Sequence, residues 1–365
     1  MDQLNRPKVI ALVPVRNEAW VLKTFIECAS LWADHIIIAD QSSEDGSREL
    51  AAAYPKVTLI DNPCAEFSEV ERQRLLIAAA RRFPAPRLLV AIDADEIISA
   101  NILDSPEWKV ALLQPPGTVL AFAKVELYGS TENYYLHSAE DKNSWIPFAY
   151  IDDGAEHEGN IIHTCRIPRR ADSPRFQMND VVVLHFNRCN TLRAESKDRW
   201  YRCFERISFP EKNILTIHRL YDFFERLRDK FSIHPTHPDW LANYRNAGIN
   251  LDISESETVF WWDWDILRMF KKYGTAPFRH LDIWSVDWEA LRLHGRSRGV
   301  HGLPEQPVEI PRRRRDGLIR AALRLTRARR IVNRIMWRLF HYGIIRTASV
   351  QVSDGVVVHQ PTVKE

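Results

Sequence analysis

The stretch LLVAIDADE (Leu88–Glu96) places an apolar run directly against three carboxylates. Leu88–Ile92 has the length and apolar character of a buried strand, and Asp93, Asp95 and Glu96 follow it at once. Carboxylates this close repel one another, and a carboxylate at the edge of a core is destabilising unless a cation neutralises it. The cluster is therefore expected either to face water or to hold a cation.

Three apolar runs of similar length come before this strand, and helical patterns separate all four. The runs cover residues 8–13, 35–39 and 57–60, and the helical patterns cover 18–32, 48–54 and 68–83. Ser68 and Glu71 have the spacing of a capping box at the start of the last helix. Apolar strands that alternate with amphipathic helices predict an α/β fold, a doubly wound and mainly parallel sheet with helices on both faces.

Polar residues follow three of the four strands. Pro14–Glu18 comes after the first strand, Asp40–Asp45 after the second and Asp93–Glu96 after the fourth. The carboxyl ends of parallel strands meet at one edge of the sheet, where such folds bind their ligands. In an extended segment, Asp93 and Asp95 would point to the same side, and paired carboxylates suit Mg²⁺ or Mn²⁺ bound to substrate phosphates. By itself, an Asp-x-Asp is also typical of a solvated acidic turn.

Three motifs together resemble those of family 2 glycosyltransferases in order and spacing. They are VPVRNE (13–18), IIIADQSSEDGS (36–47) and AIDADE (91–96). The second motif has Gln41 where the family commonly has another Asp. The resemblance implies a GT-A fold, a nucleotide-sugar donor and a divalent metal, Mn²⁺ or Mg²⁺.

The resemblance also implies residues that contact the donor. The backbone near Pro14 and the side chain of Glu18 would line the nucleotide pocket. Asp40 would contact the base, and Asp45 would brace the turn that follows it. Arg72 lies near the position where the family often has an arginine that faces the donor; the alternative is a charge on the helix surface.

The metal ligands follow from the same resemblance. Asp95 would bind the metal directly, and Asp93 would face the ribose and the metal, with Glu96 as a neighbour that tunes the site. His185 ends the predicted strand 181–186 and would supply a further ligand, because a neutral imidazole suits Mn²⁺. The alternative for His185 is a purely structural role at the end of a strand.

A polar loop, DDGAEHEG (152–159), lies where the acceptor would approach. Inverting sugar transfer needs a carboxylate as general base to take the proton of the acceptor hydroxyl, while the metal stabilises the leaving diphosphate. Related enzymes carry a His-Glu here, so Glu158 is the first candidate for the catalytic base and Glu156 the second. Asp152 and Asp153 come after them.

Beyond residue 210 no resemblance remains, and composition guides the division of the chain. We expect a GT-A domain over residues 1–210, with a donor half (1–100) and an acceptor half (101–210). After it we expect a Trp-rich helical extension (211–303), a Pro/Arg linker (304–315), a basic amphipathic helical tail (316–346) and a C-terminal tail (347–365).

The net charge of +2 conceals an asymmetry. Between Arg312 and Arg346 there are twelve arginines, no lysine and one acid, so this segment carries 12 − 1 = +11 and the rest of the chain 2 − 11 = −9. In one helix from Gly317 to Phe340, arginines three or four residues apart would form one cationic stripe. The pattern predicts binding to an anionic membrane surface; the alternative is a helix packed on the acidic body with solvated arginines. No nucleic-acid partner is expected, because no recognised binding module accompanies the charge.

The location follows from three further features of the sequence. The five cysteines lack the spacing of a disulfide framework, and no secretory signal is visible after Met1. No apolar run approaches the roughly 18 residues that span a bilayer. We therefore expect a cytoplasmic protein, peripheral on the inner face of the cell membrane where the tail binds it.

Taken together, the sequence predicts a metal-dependent, inverting glycosyltransferase. It would move a sugar from a nucleotide-sugar donor to a glycan or lipid-linked acceptor in the synthesis of a bacterial surface polysaccharide. One alternative is a nucleotidyltransferase with a similar carboxylate–metal site, although VPVRNE contains no glycine for a phosphate loop. Another is a non-catalytic GT-A-like scaffold, against which the intact acidic motifs argue.

Overall fold

The computed structural model describes residues 6–63, 67–136, 145–221, 232–253, 258–311, 314–325, 330–342 and 344–345. The chain divides into two compact units. The first consists of Met1–Thr191 and Phe231–Ser256, and the second of Leu192–Lys230 and Glu257–Glu365.

The first unit begins with four parallel strands and the helices that connect them. The strands are β1 (Lys8–Val15), β2 (His35–Asp40), β3 (Val57–Asp61) and β4 (Arg87–Ala91), and the helices are α1 (Ala19–Trp32), α2 (Ser47–Ala52) and α3 (Glu69–Ala80). The strands lie in the order β3-β2-β1-β4. The Ser68 half of the predicted capping box is present, because the Ser68 side chain accepts a hydrogen bond from the Glu71 backbone N–H at the start of α3, whereas the Glu71 carboxylate pairs with Arg74.

Alternate residues of β1 face two different cores. Val9, Ala11 and Val13 belong to the core on the α1 side, whereas Ile10 and Leu12 belong to the core on the α3 side. All five are essentially inaccessible to water. A strand buried on both faces needs an unbroken apolar run, and the sequence of β1 supplies one. The predicted α/β class, with a doubly wound parallel half and helices on both faces, is confirmed.

Six further strands in the described residues extend this sheet. They are β5 (Glu96–Ile98), β6 (Val119–Tyr128), β7 (Ser130–Leu136), β8 (Trp145–Ile151), β9 (Arg175–His185) and β10 (Ser232–Pro235). The full order is β10-β7-β6-β8-β4-β1-β2-β3, with β8 antiparallel to β4, and β9 lies between β6 and β5. The parallel strands β1–β4 are thus continued by strands that pair mostly in the antiparallel direction, although β9 runs parallel to β6.

The remaining helices among the described residues lie after β5. They are α4 (Pro106–Ala111), α5 (Thr191–Ser208), α6 (Ile214–Tyr221), α7 (Ala242–Asn246), α8 (Trp261–Tyr273), α9 (Trp288–Ser297), α10 (Arg314–Leu325) and α11 (Arg330–His341). Short 3₁₀ turns occur at Ala100–Leu103, Phe186–Arg188, Pro238–Trp240 and Ala276–Phe278. The predicted helical C-terminal region is confirmed. In the part of the chain that the structure describes, no helix combines the length and the apolar character needed to cross a membrane.

The segment 232–253 packs within the first unit. Tyr244 in α7 is fully buried, and its hydroxyl donates a 2.7 Å hydrogen bond to the backbone carbonyl of Ile98. The hydroxyl of Thr24 in α1 donates to the carbonyl of Asn250 at 3.0 Å. These bonds link the segment both to α1 and to the strand that follows the acidic motif.

The second unit is helical and rich in tryptophan. Trp288 and Trp262 are buried, and the Trp284 ring stacks on Phe270 of α8. The predicted helix 317–340 corresponds to two helices, α10 and α11, which contact each other. Residues 326–329 between them and the predicted C-terminal tail 347–365 lie outside the described residues.

Candidate active site

The loops after β1 and β2 hold each other in place. Asp45 accepts a 2.9 Å hydrogen bond from the backbone N–H of Ala19, the first residue of α1, and a 2.6 Å bond from the hydroxyl of Ser47. The Asn17 backbone N–H donates to the Ser43 hydroxyl at 2.8 Å. Asn17 has φ +56°, which costs asparagine less than most residues because its side chain can bond locally. Asp45 therefore braces this turn and caps α1 from the neighbouring loop.

Asp40 has a carboxylate oxygen available at the end of β2. The side chain is buried, and its Oδ2 accepts hydrogen bonds from the Ser43 N–H (3.2 Å) and from Arg48 (3.4 Å). Its Oδ1 is also buried and has no hydrogen-bond partner among the described residues. A buried acceptor without a partner is unfavourable, so Oδ1 of Asp40 could accept a hydrogen bond from an N–H of a bound nucleotide base.

Two other predicted donor residues lie at the end of β1 and in the loop after it. Pro14 is half-buried near the end of β1, where it pairs with Ala39 of β2. The carboxylate of Glu18 accepts a 2.6 Å hydrogen bond from the indole N–H of Trp20. The structure thus gathers Pro14, Glu18 and Asp40 at the carboxyl ends of adjacent strands.

The acidic motif forms a tight turn. The Glu96 N–H donates to the Asp93 carbonyl at 3.0 Å, and the Asp93 N–H donates to the Glu96 carboxylate at 3.0 Å. The predicted extended segment is therefore wrong, because the chain turns at Ala94 and Asp95 before it enters β5. As a result, the carboxylates of Asp93 and Asp95 have different neighbours.

Asp95 lies beside His185. Pairing of β5 with the end of β9 aligns Glu96 with His185, and the Phe186 N–H donates to the Asp95 carbonyl at 2.9 Å. The Nε2 atom of His185 is consequently 3.3 Å from Oδ2 of Asp95. Both side chains are largely buried, so sheet pairing fixes their relative position.

Glu126 holds the other side of the His185 ring. Its Oε2 is 2.7 Å from Nδ1 of His185. Burial favours the neutral imidazole, but the nearby Glu126 and Asp95 raise the pKa of His185 above its ordinary value. In turn, although burial opposes it, His185 and Lys124 lower the pKa of Glu126 to about 2. A carboxylate on the second ring nitrogen is the usual way in which proteins orient a histidine that binds a metal.

The pair of Asp95 and His185 suits two adjacent positions on one divalent ion. Adjacent ligands about 2.1 Å from an octahedral ion lie about 3 Å apart, and the observed separation of the two donor atoms is close to that. Within the described residues, no group of three or more His, Cys, Asp or Glu side chains could enclose an ion. Substrate phosphates and water would therefore supply the other ligands, as is usual for Mg²⁺ and Mn²⁺ sites.

Asp93, the third predicted metal ligand, pairs with two arginines. Its Oδ2 is 2.7 Å from the Arg166 guanidinium, and its Oδ1 is 3.9 Å from that of Arg72. Arg72 also lies over the ring of Phe67, 5.2 Å from its centre. Between the two interpretations of Arg72, the observed geometry corresponds to a side chain that faces the acidic motif.

Arg166 and Lys124, which the sequence analysis did not identify, neutralise Glu96. The Glu96 carboxylate is inaccessible to water, lies 2.7 Å from Lys124 and pairs with Arg166 through both of its oxygens. Burial would raise the pKa of Glu96, but these two cations lower it below its usual range. Lys124 and Glu126 alternate within the apolar strand VLAFAKVELY, which is a period-two signal that could have been recognised. No comparable pattern surrounds Arg166.

The loop 152–159 contains both structural and accessible carboxylates. Asp152 is inaccessible and accepts hydrogen bonds from Arg81 (3.0 Å) and Arg87 (2.6 Å). Although burial opposes it, these arginines lower the pKa of Asp152. Asp152 is therefore engaged in holding the loop.

The other three candidates for the base on this loop differ in their surroundings. Asp153 accepts a hydrogen bond from the Tyr150 hydroxyl. Glu156 and Glu158 are exposed, one on each side of the buried His157, whose carbonyl accepts a 3.0 Å bond from Arg74 of α3. Asp153 is exposed as well, so an acceptor could approach any of these three carboxylates, of which Asp153 is hydrogen-bonded to Tyr150.

Comparisons with known proteins give limited similarity. No protein-family model and no curated protein matches the chain. Glucosyl-3-phosphoglycerate synthase from Mycobacterium tuberculosis, in complex with Mn²⁺, UDP and glucosyl-3-phosphoglycerate, is 19% identical over 35% of this chain and 46% of that chain, with a TM-score of 0.26. Mannosyl-3-phosphoglycerate synthase from Rubrobacter xylanophilus is 20% identical over 34% and 42%, with a TM-score of 0.25.

A third solved structure belongs to a different class of enzyme. 4-Diphosphocytidyl-2C-methyl-D-erythritol synthase is 14% identical over 40% of this chain and 76% of that chain, with a TM-score of 0.28. The chain spans less than half of the length of the two phosphoglycerate synthases. Similarity at this level does not establish membership of a family, so the function has to be argued from the site.

Proposed function

We propose that this protein is a glycosyltransferase that uses a nucleotide-sugar donor and a divalent cation, Mn²⁺ or Mg²⁺. The main support is the convergence of Asp95 and His185, whose donor atoms lie 3.3 Å apart at the carboxyl edge of a parallel sheet. Glu126, 2.7 Å from the other ring nitrogen, orients the histidine for this role. When bound, the ion would neutralise the charge of the departing diphosphate.

Donor binding would use the loops after β1 and β2. The unpaired Oδ1 of Asp40 would accept a hydrogen bond from the base, while the loop containing Pro14 and Glu18 would line the nucleotide pocket. Arg72 and Arg166 would hold Asp93 in a fixed position, because both contact its carboxylate. Asp93 would then face the ribose and the metal.

Proton transfer from the acceptor would fall to an exposed carboxylate of the loop 152–159. Glu158 remains the first candidate and Glu156 the second, since both are exposed, whereas Asp152 is bound by two arginines and the exposed Asp153 is hydrogen-bonded to Tyr150. A general base that takes the proton of the acceptor hydroxyl corresponds to an inverting transfer. The acceptor would be a glycan or a lipid-linked glycan in surface polysaccharide synthesis.

The chemistry would be confined to the first unit. All the residues named for donor, metal and base lie within Met1–Thr191, as the predicted GT-A domain 1–210 requires. The linker, the tail and the parts of the helical extension that lie in the second unit would serve acceptor binding or location.

Nucleotidyl transfer is a second candidate, and one observation favours it. Three cationic side chains, Arg72, Lys124 and Arg166, lie among the carboxylates of the site. A nucleoside triphosphate brings more phosphate charge than a nucleotide sugar, and Arg72, which is the most loosely paired of the three, could help to neutralise it. The two reactions differ in their products, because sugar transfer releases a nucleoside diphosphate and nucleotidyl transfer releases pyrophosphate.

A thermal-shift panel tests the donor first. Nucleoside triphosphates, diphosphates and nucleotide sugars would each be added with and without Mn²⁺, because a ligand at a hundred times its dissociation constant stabilises the fold by about 2.7 kcal/mol. We expect a nucleotide sugar to stabilise the protein only with the metal. Asp95→Asn should weaken that binding by more than about 100-fold. Substitution of a residue that only hydrogen-bonds to a metal ligand already lowers metal affinity by about 10–100-fold, and Asp95 would be a ligand itself. Binding that neither EDTA nor this variant alters would refute the metal site.

The catalytic base is tested separately from binding. Glu158→Gln should leave donor affinity near that of the wild type and lower turnover by about 10²–10⁴-fold, which is the usual contribution of general-base catalysis. Glu156→Gln is the matched control on the same loop. Normal turnover in Glu158→Gln with a loss in Glu156→Gln would reverse the assignment, and pyrophosphate as the product would favour nucleotidyl transfer.

A further inference from the structure

The tail helix α10 is packed on the second unit by one of its faces. Ile319 and Leu323 are buried, and Asp316 lies 3.1 Å from His280. The guanidinium of Arg320 donates a 2.7 Å hydrogen bond to a backbone carbonyl outside the helix. Arg320 therefore does not belong to a solvated stripe, and the side chains of Arg324, Arg327 and Arg330 lie outside the described residues.

The second tail helix, α11, also has an inner face. Met336 is buried, the Phe340 ring packs edge-on against His280 with centroids 6.2 Å apart, and Asn333 accepts a hydrogen bond from Arg219 of α6. Residues 333, 336 and 340 share one side of an α-helix, since they are three, four and seven positions apart. The opposite side of α11 must therefore face away from these contacts.

That opposite side mixes apolar and cationic residues. We define the basic–apolar face of α11 as the exposed side chains that lie on it or at its border: Ile331, Arg334, Ile335, Trp337, Arg338 and Tyr342. Ile331 is 74% exposed and Tyr342 is 69% exposed. Seven of the fifteen large exposed apolar side chains in the described residues lie between 318 and 344, so apolar exposure is concentrated in the tail. A concentration of this kind marks an interaction surface.

We propose that the basic–apolar face binds the surface of an anionic phospholipid bilayer. Arg334 and Arg338 would pair with lipid phosphates, for which the guanidinium group is well suited. Ile331 and Ile335 would enter the acyl boundary, and Trp337 and Tyr342 have the amphipathic rings that favour the level of the headgroups. The surrounding segment, with its charge of +11 between Arg312 and Arg346, adds long-range attraction.

Charge makes a second copy of the chain a poorer partner for this face. A symmetric dimer through α11 would bring Arg334 and Arg338 of each copy together, and juxtaposed like charges are unfavourable at an interface. Binding to the bilayer is independent of the sugar-transfer chemistry, because every residue of the face lies in the second unit.

Flotation of the full-length protein with vesicles tests this binding. The vesicles are phosphatidylcholine with about 30% phosphatidylglycerol, and phosphatidylcholine alone serves as the neutral reference. The protein should float with the anionic vesicles only, and high salt should release most of it because salt screens surface charge. Arg334→Glu with Arg338→Glu should lower the partition coefficient at least about 25-fold, since each basic residue near an anionic surface gives about a fivefold gain in binding.

The matched control makes the same change of charge elsewhere on the second unit. Lys271→Glu with Arg296→Glu alters two exposed side chains of α8 and α9 and should keep binding within about threefold of the wild type. An equal loss in both double variants, or no flotation of the wild type, would overturn the assignment. A wild-type dimer that Ile331→Ser with Ile335→Ser converts to a monomer would assign the face to a second copy instead.

Discussion

The charges at the edge of the sheet and the charges of the tail are arranged in opposite ways. In the first unit, Glu96 is inaccessible and pairs with both Arg166 and Lys124. In the tail, Arg334 and Arg338 are exposed between apolar side chains. Removal of one partner from a buried pair leaves an uncompensated charge, whereas exposed charges contribute little to folding. The first arrangement therefore maintains the structure of a site, and the second is available to a partner.

The largest difference between the two regions should appear in Arg166→Met. After this change, Lys124 is the observed cation that still pairs with Glu96. Asp93 keeps only the more distant of its two observed arginine partners, Arg72. We expect the free energy of unfolding to fall by about 3–5 kcal/mol, as for other buried pairs that lose one partner. Denaturant unfolding measures this directly, and Arg334→Met is the matched control that should change it by less than about 0.5 kcal/mol.

The buried carboxylates of the first unit should also make the stability of the protein depend on acid pH. The folded-state pKa of Glu126 is about 2 against an ordinary value of 4.5, so its contribution to stability is complete above about pH 4.5 and is lost as the pH falls toward about 2. Glu96 changes in the same direction. The stability of the wild type should therefore decline over this range. The stability of Arg166→Met should decline less over this range, because Glu96 loses the arginine that lowers its pKa. An equal decline in the wild type and the variant would contradict the role of Arg166 in this ion-pair network.

The parallel half of the sheet could be predicted from sequence because its strands are buried on both faces. Each of β1–β4 agrees with the predicted run within two residues, and the polar ends of β1, β2 and β4 follow from the topology alone. The loop Asp40–Asp45 could be located for that reason, and the family resemblance then singled out Asp40 and Asp45. The unpaired oxygen of Asp40 could not, since it depends on packing around the strand end.

The antiparallel half is harder to predict, because one of its strands contains a residue that usually argues against a strand and because its key contacts join residues far apart in the sequence. Pro147 lies inside β8, a central strand, where proline is normally excluded. The structure accommodates it beside a register shift between β6 and β8, opposite Ala121. Arg166 meets Glu96 across 70 positions in the chain, and no local pattern predicts such a contact.

A further prediction concerns the metal and compares the carboxylate of Glu126, which contacts His185, with an exposed carboxylate. Glu126→Gln should lower Mn²⁺ affinity by about 10–100-fold, because it removes the partner that orients His185. Glu49→Gln, on the exposed side of α2, is the control and should leave the affinity unchanged. Equal affinities in the two variants would exclude an orienting role for Glu126. Calorimetric titration with Mn²⁺ measures the affinity without any substrate.

The pH dependence of that affinity gives a sharper test of His185. A metal binds the neutral ring, so affinity should fall by up to about tenfold per unit once the pH drops below the pKa of the histidine. Glu126 and Asp95 raise that pKa, so in the wild type the fall should begin above the ordinary range of histidine. In Glu126→Gln it should begin at lower pH. The same onset in both proteins would show that Glu126 does not set the charge of the ring.

The smallest expected effect completes the comparison. Arg334→Glu with Arg338→Glu should change the free energy of unfolding by less than about 0.5 kcal/mol, because both side chains are exposed and surface substitutions rarely do more. Leu323→Ala in the inner face of α10 should cost about 2–5 kcal/mol, since that side chain is fully buried. Thermal unfolding of the full chain distinguishes the two. If the double arginine variant were destabilised as strongly as Leu323→Ala, those arginines would be internal partners of the fold, and the contrast between the buried site and the accessible tail would be lost.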